Sequence, residues 1–192
     1  MSDLKKCIAN REYEFFPKMY EGKFTYSLYQ ASMLQRSHPE DMLHANDKKK
    51  RVALYAVHGR QSQPDLSKLV VGQLKQMLKP FPDDCRVSTA MFINYDSVGE
   101  SFQIHKDTMD VFYVHGVGSV EWGFWESASD KDTLDPSEGT LIDKRVLNEG
   151  DAVYVPRGTY HHVTVSEPRV GFSFGIEGPF DASRVLQYGM AP

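Results

Sequence analysis

FQIHKDTMDVFYVHGVGSVEWGFW, residues 102–125, carries the pattern on which the fold turns. Aromatic and β-branched residues come in short bursts divided by Asp, Gly and Ser, the texture of strands joined by tight turns. The same texture extends outward from Arg86 to Glu177. The runs are Arg86–Tyr95, Phe102–His105, Asp110–His115, Ser119–Trp125, Thr140–Val146, Ala152–Val155, Tyr160–Val165 and Arg169–Glu177. Short strands at this spacing predict an all-β sandwich or barrel. The polar stretch Ser127–Glu138 reads as an exposed, mobile loop.

Upstream of Arg86 the pattern is mixed. Lys23–Ala31 alternates aromatic and polar residues as a strand would. Ser32–Lys50 is polar and reads as helix and loop, and Arg51–His58 as a second strand. Asp65 then caps a helix whose spacing runs through Leu66, Leu69, Val70, Leu74 and Met77, with Pro80 and Pro82 stopping it. A short helix is expected over Asp181–Tyr188. The chain therefore divides into a mixed α/β extension over 1–85, a β core over 86–178 and a tail over 179–192. The two upstream strands are expected to extend the core sheet, with the helix across its outside face.

At 192 residues, with 41% apolar and 12% aromatic residues, the chain is long enough to bury one proper core. Its net charge of −4 offers no basic field for nucleic acid or an anionic membrane. The basic run Lys48–Arg51 reads as a solvated loop. Two cysteines, Cys7 and Cys85, give no disulfide framework and point to a reducing compartment. With no signal-peptide core and no bilayer-length apolar run, a cytoplasmic protein is expected. Nucleophile-elbow, phosphate-loop, Cys-x-x-Cys and dinucleotide motifs are absent from the sequence.

The chemistry-bearing residues are His105 and Asp107. Residues two apart on a strand face the same side, so the two point together whatever Lys106 does. A third ligand from a distant strand would complete one face of an octahedron, an arrangement that leaves open positions and suits non-haem Fe(II). His161 and His162 offer it, and only one of them can face inward. By spacing alone, ordinary surface or core histidines of a β domain remain the competing explanation.

Two blocks add a resemblance. INYDSVGESFQIHKDTMDVFYVHGVGSVEW (93–122) holds a Gly-rich loop, His-x-Asp, an aromatic strand and a Gly118–Trp122 pair. LNEGDAVYVPRGTYHHV (147–163) holds a Gly-Asp turn, Tyr, Pro and a distal His. Together they resemble the Jumonji-C-type cupin hydroxylases, especially the ribosomal-protein and asparaginyl hydroxylases, over about Asn94–Gly178. The resemblance implies a mainly β double-stranded β-helix (cupin or jelly roll) with a few N-terminal helices. It implies His105, Asp107 and His161 as ligands of Fe(II), with His162 facing outward. It also implies 2-oxoglutarate and O2 as cosubstrates, and hydroxylation of a protein side chain or small molecule.

One position departs from the family. Where its members carry a Lys or Arg for the distal carboxylate of 2-oxoglutarate, this chain has Val120. Arg169, which opens the strand after His161, is the best substitute, because its guanidinium fork matches a carboxylate. Its competing reading is an exposed hairpin residue. Tyr113 is expected either to hydrogen-bond the cosubstrate or to fill the core. Asn94 is placed at the pocket mouth, and His115 is read as a hydrogen-bonded structural histidine. No catalytic residue beyond the metal ligands is expected, and a homo-oligomer is left open. Two other readings stay in play: a metal-binding cupin without 2-oxoglutarate, and a non-catalytic cupin acting as a binding or structural module.

Overall fold

The computed structural model of the chain describes residues 2–21, 42–45, 52–56, 86–94, 99–100 and 102–177. In chain order these form helix α1 (Ser2–Asn10) and strands β1 (Glu14–Phe16), β2 (Met42–Ala45), β3 (Val52–Ala56), β4 (Arg86–Asn94), β5 (Gly99–Glu100) and β6 (Ile104–Lys106). Then come β7 (Asp110–Val117), β8 (Ser119–Glu126), β9 (Thr133–Leu134), β10 (Thr140–Asn148), β11 (Ala152–Val155), β12 (Tyr160–Val165) and β13 (Arg169–Glu177).

Two antiparallel sheets result among the described residues. One runs β1-β11-β7-β13-β4-β3-β2, the other β10-β8-β12-β6-β9, with β5 also paired to β12. From β6 onward the chain passes back and forth between the two sheets, apart from β8 and β10, which pair with each other in the second sheet, and this is the winding of a double-stranded β-helix. The eight runs read from the core sequence all appear as strands, the last three with the ends as read and the others differing by at most two residues at an end.

The hydrophobic pattern explains the layering. Val111 and Tyr113 of β7 and Val153 and Val155 of β11 meet Val120, Trp122 and Phe124 of β8, Leu147 of β10 and Val163 and Val165 of β12 in one buried cluster. These are alternate residues of each strand, so each strand turns one face inward. β11 and β7 are exceptions. The other face of β11, Ala152 and Tyr154, is buried as well, and so is that of β7, Phe112 and Val114, with Tyr20 and Phe174 packed on Phe112. That is why the sequence of β7 reads as a nearly continuous apolar run.

Upstream residues continue this frame. β1 adds to the free edge of β11 and β3 to that of β4. Tyr13, just before β1, stacks on Phe124 with ring centroids 4.0 Å apart and packs, partly buried, against the same cluster.

Two expectations need correction. Within the stretch read as helix and loop, Met42–Ala45 is a strand, paired with β3. The loop over Ser127–Glu138 is not irregular throughout. It contains β9, which pairs with β6, and a 3-10 turn at Pro136–Glu138. Leu134 anchors it by packing against Ile104 and Tyr160. One apolar residue in a polar stretch was too faint a signal to read as a strand. The strand expected at Lys23–Ala31, the helix after Asp65, the basic run Lys48–Arg51 and the helix over Asp181–Tyr188 lie outside the described residues. No helix among the described residues is long and apolar enough to cross a membrane.

Candidate metal centre

β6 and β12 are antiparallel neighbours in register, His105 opposite His161 and Lys106 opposite Tyr160. Alternation therefore sends both histidines inward together. Asp107 lies one residue past the end of β6, in the turn that leads to β7. Its carboxylate oxygens reach His105 Nε2 at 3.9 Å and His161 Nε2 at 3.5 Å. One ligand atom from each of His105, Asp107 and His161 fits within 4.8 Å of the others.

Both rings are oriented from behind. His105 Nδ1 lies 2.8 Å from the Gln103 carbonyl and His161 Nδ1 lies 3.0 Å from that of Thr159. A carbonyl can only accept, so Nδ1 donates and Nε2 keeps its lone pair, aimed at the third member of the triad. Burial and the neighbouring His105 push the His161 pKa down to about 4, against the pull of Asp107. The neutral ring that a metal requires is thus the resting form. Trp122 stacks on His161 with centroids 5.3 Å apart at 18°. His162 faces the other way, edge-on to Trp125 on the outer side of the sheet.

Behind the triad lies a second polar group. Arg169 opens β13 and is only 1% exposed, which rules out the exposed-hairpin reading. Its Nη1 donates to the Tyr113 hydroxyl at 3.3 Å, and its guanidinium lies over the Phe92 ring. Nε and Nη2 have no hydrogen-bond partner. Those two atoms form the edge of a guanidinium that takes a carboxylate bidentately. A buried cation with that edge unpaired is costly, so the donor set fits an anion brought from outside. Trp122 joins the two groups, its ring 5.1 Å from Tyr113 on one side and stacked on His161 on the other. Its Nε1 is buried and also unpartnered.

The Tyr113 hydroxyl lies 3.0 Å from His115 Nδ1. Burial, then the charge of Arg169, push the His115 pKa down to about 3, so this ring is neutral. His115 is fully buried, in keeping with a structural histidine. Val120 points into the apolar cluster with Leu147 and Val163, where a cation would find no partner. Asn94 lies in β4, its backbone opposite Arg169 in the register.

Sequence reasoning missed Asp110. This carboxylate is 4% exposed and takes hydrogen bonds from Arg11, Tyr154 and the backbone of Arg157. A signal existed: an acid heading the apolar run that follows it is either exposed or carefully paired.

Comparison with known proteins bears on these residues. A family model described as the JmjC domain matches residues 71–183. A probable ribosomal oxygenase of Haemophilus influenzae is 32% identical over 99 residues, 46% of this chain and 24% of that protein. The ribosomal protein uL16 3-hydroxylase of Escherichia coli is 29% identical over 113 residues, 54% of this chain and 30% of that protein. The chain thus spans less than a third of these relatives. A solved ribosomal oxygenase from Escherichia coli, in complex with cobalt and 2-oxoglutarate, superposes with a TM-score of 0.65 at 16% identity, covering 96% of this chain and 54% of that one. At that identity the match speaks for the fold.

Proposed function

The chain belongs to the JmjC-domain family, and from that premise we propose that it is an Fe(II)- and 2-oxoglutarate-dependent oxygenase. The observation that carries this reading is the pairing of two groups bridged by Trp122: a His105–Asp107–His161 triad and a buried arginine edge, Nε and Nη2 of Arg169, that no protein acceptor meets. A metal site alone would not need the second.

In this reading His105, Asp107 and His161 hold the iron through two Nε2 atoms and a carboxylate. Arg169 takes the distal carboxylate of 2-oxoglutarate on Nε and Nη2, replacing the cation that Val120 cannot supply. Tyr113 occupies Nη1 and so fixes which edge of Arg169 is presented. Asn94 is assigned to the pocket mouth. When bound, iron and 2-oxoglutarate supply the oxidising power to hydroxylate a substrate C–H bond using O2. The chain's own work is to orient these groups and shield them with Trp122, Tyr113 and Phe92. No side chain outside the ligand set is assigned a proton-transfer role.

A protein side chain is the proposed substrate, by analogy with the relative named ribosomal protein uL16 3-hydroxylase. A cytoplasmic location goes with that assignment. We assign the metal-binding core to residues 86–178 and treat 1–85 as an extension joined to its sheet.

Anaerobic titration tests the reading. Fe(II) followed by 2-oxoglutarate should give the visible charge-transfer band of a chelated complex, and His105→Ala should abolish it. Bound iron without that band would favour the metal-binding cupin without 2-oxoglutarate, the reading that Val120 supports.

A further inference from the structure

Two turns adjoin the triad, whose histidines sit on β6 and β12. One, residues 107–109, links β6 to β7 and holds Asp107. The other, residues 156–159, links β11 to β12 and leads into His161. The second turn is tied to the first and to the start of β7 by one hydrogen bond each: Gly158 N donates to the Asp107 carbonyl at 2.9 Å, and Arg157 N donates to Asp110 Oδ1, at the head of β7, at 3.0 Å. The next residue, Thr159, supplies the carbonyl that orients the His161 ring. A continuous chain of bonds therefore runs from the Asp110 carboxylate to the imidazole.

The other oxygen of Asp110 is held as firmly. Tyr154 donates to Oδ2 at 2.7 Å, and Arg11 Nη1 reaches the same oxygen at 2.6 Å. Arg11 follows α1 and has φ of 60°, a conformation L residues adopt at some cost. Burial opposes ionisation of Asp110, yet the bonds from Arg11, Arg157 and Tyr154 outweigh it and lower the pKa. A carboxylate with three donors in a nearly closed site is a rigid post.

We propose that Asp110 is a positioning residue for the metal centre, clamping the Asp107 turn to the turn before His161, with Arg11 of the N-terminal segment as its counter-ion. The inference rests on the triad being a metal site. It makes the segment after α1 part of the site's support, ninety-nine residues away in sequence from the carboxylate it pairs. Loss of a group that supports a metal ligand from behind typically costs about 10–100-fold in metal affinity.

The test is Co(II) binding to the full chain, followed by the visible ligand-field spectrum, at a temperature where circular dichroism shows each variant folded. Asp110→Asn should weaken Co(II) binding by about 10–100-fold and alter the spectrum, since Asp107 and His161 no longer keep a fixed separation. Should that variant not fold, Arg11→Met and Tyr154→Phe each remove one donor and should shift affinity and spectrum in the same direction, with Arg11→Lys restoring part of the loss. Folded variants that bind Co(II) with wild-type affinity and spectrum, losing only thermal stability, would overturn the proposal. His105→Ala is the separate control: if it binds Co(II) as well as the wild type, the metal reading itself fails, whatever Asp110 does.

Discussion

The hydroxyl of Tyr113 occupies the space that a side chain at position 171 would fill. A methyl group built on Gly171 overlaps the Tyr113 oxygen and its ring carbons. Gly171 lies opposite His115 in the register of β13 and β7, so the absence of a Cβ there lets Tyr113 lie flat and reach both His115 and Arg169. Gly171→Ala should push the hydroxyl off Arg169 and let the guanidinium rotate. Isothermal titration with 2-oxoglutarate in the presence of Mn(II) should show affinity falling about tenfold or more, with Mn(II) binding itself little changed.

Arg169 makes a sharper case, because binding and stability should move in opposite directions. Arg169→Met removes the proposed anchor, and 2-oxoglutarate affinity should fall by roughly 100-fold. The same substitution replaces a buried cation, whose Nε and Nη2 are unpaired, with an apolar chain of similar reach. Without cosubstrate the variant should therefore melt at a higher temperature, by the equivalent of about 1 kcal/mol or more. Thermal shift with and without 2-oxoglutarate reads both effects. A variant that melts lower and binds 2-oxoglutarate normally would remove Arg169 from the site.

The adjacent histidines give a register test. His161→Ala should abolish tight Co(II) or Fe(II) binding, whereas His162→Ala, on the outer face against Trp125, should leave it within a factor of about three. The reverse result would move the inward face by one residue.

His115 predicts a pH dependence of stability. Its pKa in the folded state is about 3, below the ordinary histidine value of 6.5. Between those values the unfolded chain binds a proton that the folded one refuses, so stability rises with pH across this window and is lost as pH falls through it. The effect is on the order of a few kcal/mol. Urea unfolding from neutral to mildly acidic pH should show a shallower decline for His115→Asn than for the wild type. Equal slopes would mean that His115 takes up its proton without disturbing the fold.

Much of this was legible in the sequence, for a definite reason. The core strands are half-buried and alternate, so their period survives in one dimension. The same period pointed to the His105–Asp107 pair and required that only one of His161 and His162 face inward; the family resemblance chose His161. What escaped depends on partners distant in the chain. β9 is a two-residue strand whose reason for existing is Leu134 packing on Ile104 and Tyr160. β2 exists because β3 offers an edge. Asp110 looks like any strand-opening acid until Arg11, Tyr154 and the turn at Arg157 are brought around it. The burial of Arg169 was open for the same cause: a residue after a Ser-Glu-Pro turn can point either way, and only the Tyr113 hydroxyl and the Phe92 ring fix its direction.

The strand order also governs when the molecule can be assembled. β13, the last strand described, lies between β7 and β4, so β4 with β3 and β2 beyond it cannot join β7 until β13 has been made. During synthesis at roughly 5–20 residues per second, β4 waits several seconds with one long edge unpaired. A chain whose early and late segments interleave in this way has high contact order and is expected to fold slowly. The interval before β13 emerges is therefore when it is most open to aggregation or to capture by a chaperone.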